Sequence, residues 1–139
     1  MKKIMYLLLL FVIGNVSAQT LHIYGGASHD VYLGCLNCDN YNLNSIWNEY
    51  GDYGNSYQYN SIWNEYGSYG SEYSDTSPWN KYANHPPVIV DKQGNFYGYF
   101  TVNEYKNKRA DFDLILYIYE YYEEIRNNVS KWYKRIFED

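Results

Sequence analysis

Apolar residues fall in four different rhythms along this chain, and each rhythm predicts a different element. Ile4 to Ile13 is one unbroken apolar run. Leu21-His22-Ile23-Tyr24 and Val31 to Leu36 are short β-rich runs separated by Gly25-Gly26-Ala27-Ser28-His29-Asp30, which is turn chemistry, and so predict a hairpin. Val88-Ile89-Val90 and Phe96 to Val102, joined by Asp91-Lys92-Gln93-Gly94-Asn95, predict a second. From Asp111 to Phe137 the period becomes helical: Ile115, Ile118, Tyr122, Ile125, Val129, Trp132 and Ile136 recur at spacings of three and four. Asp111 and Asp113 suit the start of that helix, and Lys131, Lys134 and Arg135 its end, as the helix dipole prefers. One continuous helix of this length would run about 40 Å, whereas strands of five or six residues reach only ~17–20 Å. The Val129–Phe137 end is therefore expected to overhang, with Val129, Trp132 and Ile136 as a candidate contact for a partner or a second copy.

The fourth rhythm lies between the hairpins. Residues 41–87 read as YNLNSIWNEYGDYGNS, YQYNSIWNEYGSYGSE and YSDTSPWNKYANHPP, a sixteen-residue repeat in three copies. Trp47, Trp63 and Trp79 hold one position of it, Ser45, Ser61 and Ser77 another, and Tyr50, Tyr66 and Tyr82 a third. Each serine is placed to cap a short helical turn, with Gly closing the first two copies. In the third copy Pro78 directly follows Ser77, at the helix position that tolerates proline best. The expected architecture is thus α+β: a small antiparallel sheet from two hairpins, three capped turns laid over one face, and a long C-terminal helix. The two returning strands also resemble each other, Gly34 matching Gly98 and Tyr41 matching Tyr105 at a constant offset. That suggests a pair of related hairpins bracketing the repeats.

Composition and charge narrow the functional classes. Residues 1–18 have the form of a secretory signal peptide: Lys2 and Lys3, the apolar run, then Val16-Ser17-Ala18 as a small-residue cleavage site. The remainder, 19–139, is the length of one domain. Without the two leader lysines it has 9 Lys and Arg against 16 Asp and Glu, and between Asp30 and Asn80 there is no basic residue at all. A nucleic-acid partner needs a basic footprint, so none is expected. A membrane surface is disfavoured too, because Glu120, Glu123 and Glu124 crowd the predicted helix.

Candidate chemistry is sparse. Cys35-Leu36-Asn37-Cys38 admits a structural disulfide, free thiols or a redox pair. It follows a predicted strand and does not open a helix, where a dipole would lower a thiol pKa, so the disulfide is the preferred reading. His22, His29 and His85 are far apart, and no metal, phosphate-loop or hydrolase motif is present. No catalytic residue, cofactor or metal site is expected. The recurring aromatic residues have two readings. Trp47, Trp63 and Trp79 with Tyr50, Tyr66 and Tyr82 could form the core, or could be an exposed ligand platform of the kind on which sugar rings stack; the core has the stronger claim.

The motif N-S-I-W-N-E-Y-G-x-Y-G-S-x-Y, followed by S-P-W-N-x-Y-A-x-x-P-P-V-I-V-D-K-x-G-x-F-Y-G-Y-F-T-V-N, resembles that of uncharacterised exported bacterial proteins with tandem Asn/Asp-Ser-Ile-Trp-Asn-x-Tyr-Gly repeats. The resemblance spans about Val31 to Asn103 and implies a periplasmic or secreted location, without an activity to transfer. The expectation is an exported, non-enzymatic binding or structural module. Its partner would be a protein or polysaccharide of the cell envelope, with self-association through the C-terminal helix as a further possibility. The alternative is a small exported redox protein or enzyme using Cys35 and Cys38.

Overall fold

The computed structural model describes residues 19–139, so the expected leader lies outside the described residues. Four strands form one antiparallel sheet: β1 (Leu21–Gly25), β2 (Val31–Cys35), β3 (Val88–Asp91) and β4 (Phe96–Tyr99), in the order β2-β1-β3-β4. Each hairpin is a neighbouring pair, and β1 joins them by pairing Ile23 with Ile89. The alternation along β1 places Leu21 and Ile23 in the core and leaves His22 and Tyr24 half-exposed. The α+β class read from the sequence is the one observed.

Both returning strands carry a glycine for the same reason. Gly34 and Gly98 have φ of 110° and 124°, conformations that side chains disfavour. Each faces Ile23 or Ile89 beside a register shift. A Cβ on Gly34 would lie 2.9 Å from the Asn44 oxygen, and one on Gly98 would lie 2.5 Å from the Ala110 nitrogen. The chain returns across each strand end by equivalent bonds. Cys35 N–H donates to the Asn44 carbonyl (2.6 Å) and Tyr99 N–H to that of Lys108 (2.9 Å). Ile46 N–H then donates to Cys35 (3.1 Å) and Ala110 N–H to Tyr99 (2.8 Å).

The repeats are turns, not helices. Gln58 N–H donates to Asn55, Ser61 to Gln58, Asn64 to Ser61 and Gly67 to Asn64, each turn beginning where the last one ends; Ser71 N–H then reaches four residues back to Gly67. Four three-residue steps and one four-residue step account for the period of sixteen. The expected capped helical turns do not form. The serine oxygens accept the amide two residues on, as a cap would, but no helix follows, because the next asparagine oxygen captures an amide a helix would use. Ser45, Ser61 and Ser77 Oγ accept from Trp47, Trp63 and Trp79 N–H, and Asn48, Asn64 and Asn80 Oδ1 accept from Tyr50, Tyr66 and Tyr82 N–H.

All three repeat tryptophans are buried, at 0%, 0% and 3% exposure. Their indole N–H groups are satisfied by one rule. Trp47 donates to the Leu36 carbonyl, Trp63 to Ile46 and Trp79 to Ile62, each at 2.7 Å, so each copy is tied to the segment before it. The rings form a column, 5.8 Å from Trp47 to Trp63 and 5.7 Å from Trp63 to Trp79, continued by Tyr122 stacked on Trp79 at 4.3 Å.

The expected long helix is broken. Helix α1 (Asp113–Asn127) stops at Asn128, whose φ of −159° and ψ of 78° are not helical. The Asn128 side chain accepts from Lys131 N–H and starts the short α2 (Val129–Tyr133), which passes into a π-helical turn, Lys134–Glu138. An asparagine that caps its own successor competes with helix continuation. The break lets the apolar seam bend around the repeats: Tyr133 lies 6.2 Å and Phe137 5.5 Å from the Trp47 ring, and Trp132 stacks on Tyr121 at 5.2 Å.

Candidate functional site

Tyrosine supplies the exposed face of the same repeat whose tryptophans supply the core. Tyr50, Tyr66 and Tyr82 are 89%, 89% and 78% exposed. A second set, Tyr41, Tyr57 and Tyr73, is 88%, 89% and 85% exposed, and Tyr105 at the matching place after the second hairpin reaches 92%. These rings stand on fixed backbone. Tyr41, Tyr57 and Tyr105 N–H donate to Asp39, Asn55 and Asn103 Oδ1 at 2.9–3.0 Å, and Tyr73 N–H donates to Ser71 Oγ at 3.1 Å. The asparagines beneath the first set are anchored as well, Asn64 Nδ2 donating to the Gln58 carbonyl at 3.0 Å. A stiff scaffold thus displays phenol rings at repeated positions, little ordered by the protein itself.

The structure divides the expected ligand platform. Tyr50, Tyr66 and Tyr82 are exposed as a platform requires; Trp47, Trp63 and Trp79 are core, their faces packed and their N–H groups bonded. The expected partner contact is corrected in the same way. Val129 and Trp132 are buried at 4% and 7% within the chain's own core, and Ile136 is half-buried against it. Sequence reasoning missed Tyr41, Tyr57, Tyr73 and Tyr105 as display positions, although the first three share the sixteen-residue period.

Exposed tyrosines line three adjoining cavities between the repeats and the C-terminal part of the chain. The first, 590 Å³, has Tyr66 and Tyr73 on the repeat side and Glu123, Arg126 and Asn127 of α1 opposite. It shares Glu72 and Tyr73 with the second, 380 Å³, which shares Lys81, Tyr82 and Val102 with the third, 520 Å³, where Tyr105 lies. The helix wall is tied to the repeats by Arg126, whose Nη1 donates to Glu65 Oε2 at 3.1 Å.

Other candidate groups are occupied structurally. Cys35 and Cys38 form a disulfide, with Cys35 fully buried at the end of β2. His22 Nδ1 pairs with Tyr32 Oη (2.8 Å), His29 Nε2 with the Pro86 carbonyl (2.9 Å) and His85 Nδ1 with Asp75 Oδ2 (2.8 Å). The Asp75 carboxyl is held below the usual range by the Asn84 backbone N–H and then by His85. Burial pushes the Tyr32 and Tyr119 phenols up to about 12. Among the described residues, no three His, Cys, Asp or Glu side chains are grouped to hold a metal ion, and no helix is long and apolar enough to cross a membrane. No family model, no curated protein and no solved structure matches the chain.

Proposed function

We propose that this chain is an exported, non-enzymatic binding module of the bacterial envelope whose contact surface is the tyrosine face of its repeats. The observation that carries this reading is the division of labour within each copy. One aromatic position is buried completely, while two others are held almost fully in solvent on hydrogen-bonded turns. Monomeric surfaces rarely spend large aromatic residues in series without a contact to make. Tyrosine is suited to that role because its ring is large, its side chain loses little rotamer freedom, and its hydroxyl keeps it wettable.

The disulfide suits an oxidising compartment, and with the leader form of residues 1–18 it supports export. The alternative of a redox protein has less to support it. Cys35 is fully buried, and the pair follows a strand, with no helix N-terminus at hand to stabilise a thiolate.

Co-sedimentation of the purified secreted chain with isolated envelope fractions tests the reading. The wild type is expected to pellet with the envelope, and a Tyr50→Ala/Tyr66→Ala/Tyr82→Ala variant to stay in the supernatant while keeping its melting temperature. A wild type that never pellets, or a variant that pellets equally well, overturns it.

A further inference from the structure

The geometry points to one continuous cleft for an uncharged polysaccharide chain, running past Tyr66, Tyr73, Tyr82 and Tyr105 through the three cavities described above. This rests on the binding-module reading and names its ligand. Continuity is the first argument. Each cavity shares lining residues with the next, and Tyr73 and Tyr82 stand at the two junctions, so the three adjoin one another. The four rings are 78–92% exposed, with Lys81 Nζ 5.2 Å from the centre of the Tyr82 ring. A linear glycan offers the complement: a series of rings with apolar C–H faces for the phenols and hydroxyls on their edges for carboxylates and amides.

The polar lining supports the same class. Glu72 and Glu104 lie along the cleft and can accept from sugar hydroxyls, and the Asn103 side-chain amide N–H can donate to them. Charge disfavours an anionic polymer: Glu65, Glu72, Glu104 and Glu123 outnumber Lys81 and Arg126, and Arg126 Nη1 is paired with Glu65, its Nε and Nη2 being buried without a partner among the described residues. A protein ligand is less well matched. Protein hot spots sit in well-packed, fully desolvated pockets, whereas these open cavities offer rings standing 78–92% in solvent and one half-buried aliphatic side chain, Val102. The cleft is also formed by turns and a helix, so it provides no free strand edge to which an extended peptide could add.

Titration calorimetry of the secreted chain with cellohexaose, laminarihexaose, mannohexaose and chitohexaose, and with polygalacturonate as an anionic control, tests the inference. At least one neutral hexamer is expected to bind, roughly tenfold more tightly than its dimer, because several rings are engaged at once. Tyr66→Ala/Tyr82→Ala is expected to weaken that binding by roughly tenfold or more, while Tyr66→Phe/Tyr82→Phe, which keeps the rings, retains most of it. Tyr41→Ala/Tyr57→Ala removes equally exposed rings that line none of the three cavities, and leaves binding unchanged. All these positions are exposed, so each variant should melt with the wild type. The inference is overturned if no neutral hexamer binds, if only polygalacturonate binds, or if the two alanine pairs weaken binding equally. Should the chain still pellet with envelope while no neutral hexamer binds, only the glycan assignment is wrong; if neither occurs, both readings fail.

Discussion

Residues 31–46 and 95–110 follow the same path and then part. Both begin as a strand with a positive-φ glycine, return through turns from Asp39 to Asn42 to Ser45 or from Asn103 to Lys106 to Arg109, and close with the same bridge, Cys35 to Ser45 or Tyr99 to Arg109. Tyr41 and Tyr105 stand exposed at the same step. Yet Ser45, Ile46 and Trp47 are matched by Arg109, Ala110 and Asp111, and the second segment goes on into α1 where the first goes on into another copy. The shared path is therefore set by glycines and turn-forming side chains, not by the core residues that follow. What the tryptophan adds is the commitment to stack another turn unit. In the second region Phe100, the counterpart of Leu36, packs against Trp79 and Tyr119, and the Tyr119 hydroxyl donates to the Ala110 carbonyl.

The largest blow to this comparison would fall on the tryptophan column. Trp63→Ala should cost about 3–5 kcal/mol by chemical denaturation, since it empties a fully buried site. Trp63→Phe should cost less, chiefly the hydrogen bond to the Ile46 carbonyl, about 1–3 kcal/mol. Next come the glycines. Gly34→Ala and Gly98→Ala should each cost about 1–3 kcal/mol from backbone strain, plus the close approach of Asn44 or Ala110. Clearly unequal losses, with one site indifferent, would mean the two hairpins are alike only in outline.

A smaller effect separates the hairpins chemically. The disulfide occurs in the first alone; its counterparts in the second are Tyr99 and Val102, and the path is the same without it. Closing so short a loop should stabilise by about 2 kcal/mol or less. Cys35→Ser/Cys38→Ser should therefore lower the melting temperature modestly and leave the far-ultraviolet spectrum unchanged.

The gentlest probe is acid. Asp91 sits at the β3–β4 turn and accepts from Gln93 N–H, Asn95 N–H, Asn95 Nδ2 and Tyr97 Oη, each at 2.9 Å. Burial pushes its carboxyl up, but these bonds outweigh that and hold it below the ordinary range. A depressed folded value means the stabilisation is complete above the unfolded pKa of about 3.9 and is lost as pH falls through the folded one. Hydrogen exchange should therefore show β3–β4 amides losing protection before those of β1–β2 below about pH 4. Asp91→Asn should abolish that order.

Much of the fold could be read from periodicity because burial has a period. Leu21 and Ile23, the three tryptophans and the Ile115–Ile118–Ile125 stripe all lie inside. The turn geometry was not legible, since Ser-x-Trp-Asn fits a helix cap as well as a chain of side-chain-closed turns, and the choice depends on where Ser45 and Asn48 aim their oxygens. The end of α1 was hidden in the same manner, by Asn128 capping forward within an otherwise helical pattern. The cleft lay further out of reach. Glu123 and Arg126 come against Tyr66 only through the packing of α1 on the repeats, and no spacing along the chain records that meeting.

The indole bonds to the preceding segment bear on how such a chain can change its length. Leu36 serves the first copy, Ile46 and Ile62 serve the second and third, and the Pro78 carbonyl that a fourth tryptophan would use is taken by Val102 N–H at 2.9 Å. Both ends are closed, and every internal copy gives one such bond and receives one. A duplication that added sixteen residues within this tract would bring its own donor and its own acceptor and leave no orphan. An insertion that shifted a tryptophan out of this sixteen-residue register would strand an indole in the interior, which gives inheritance a preferred quantum of growth for this part of the protein.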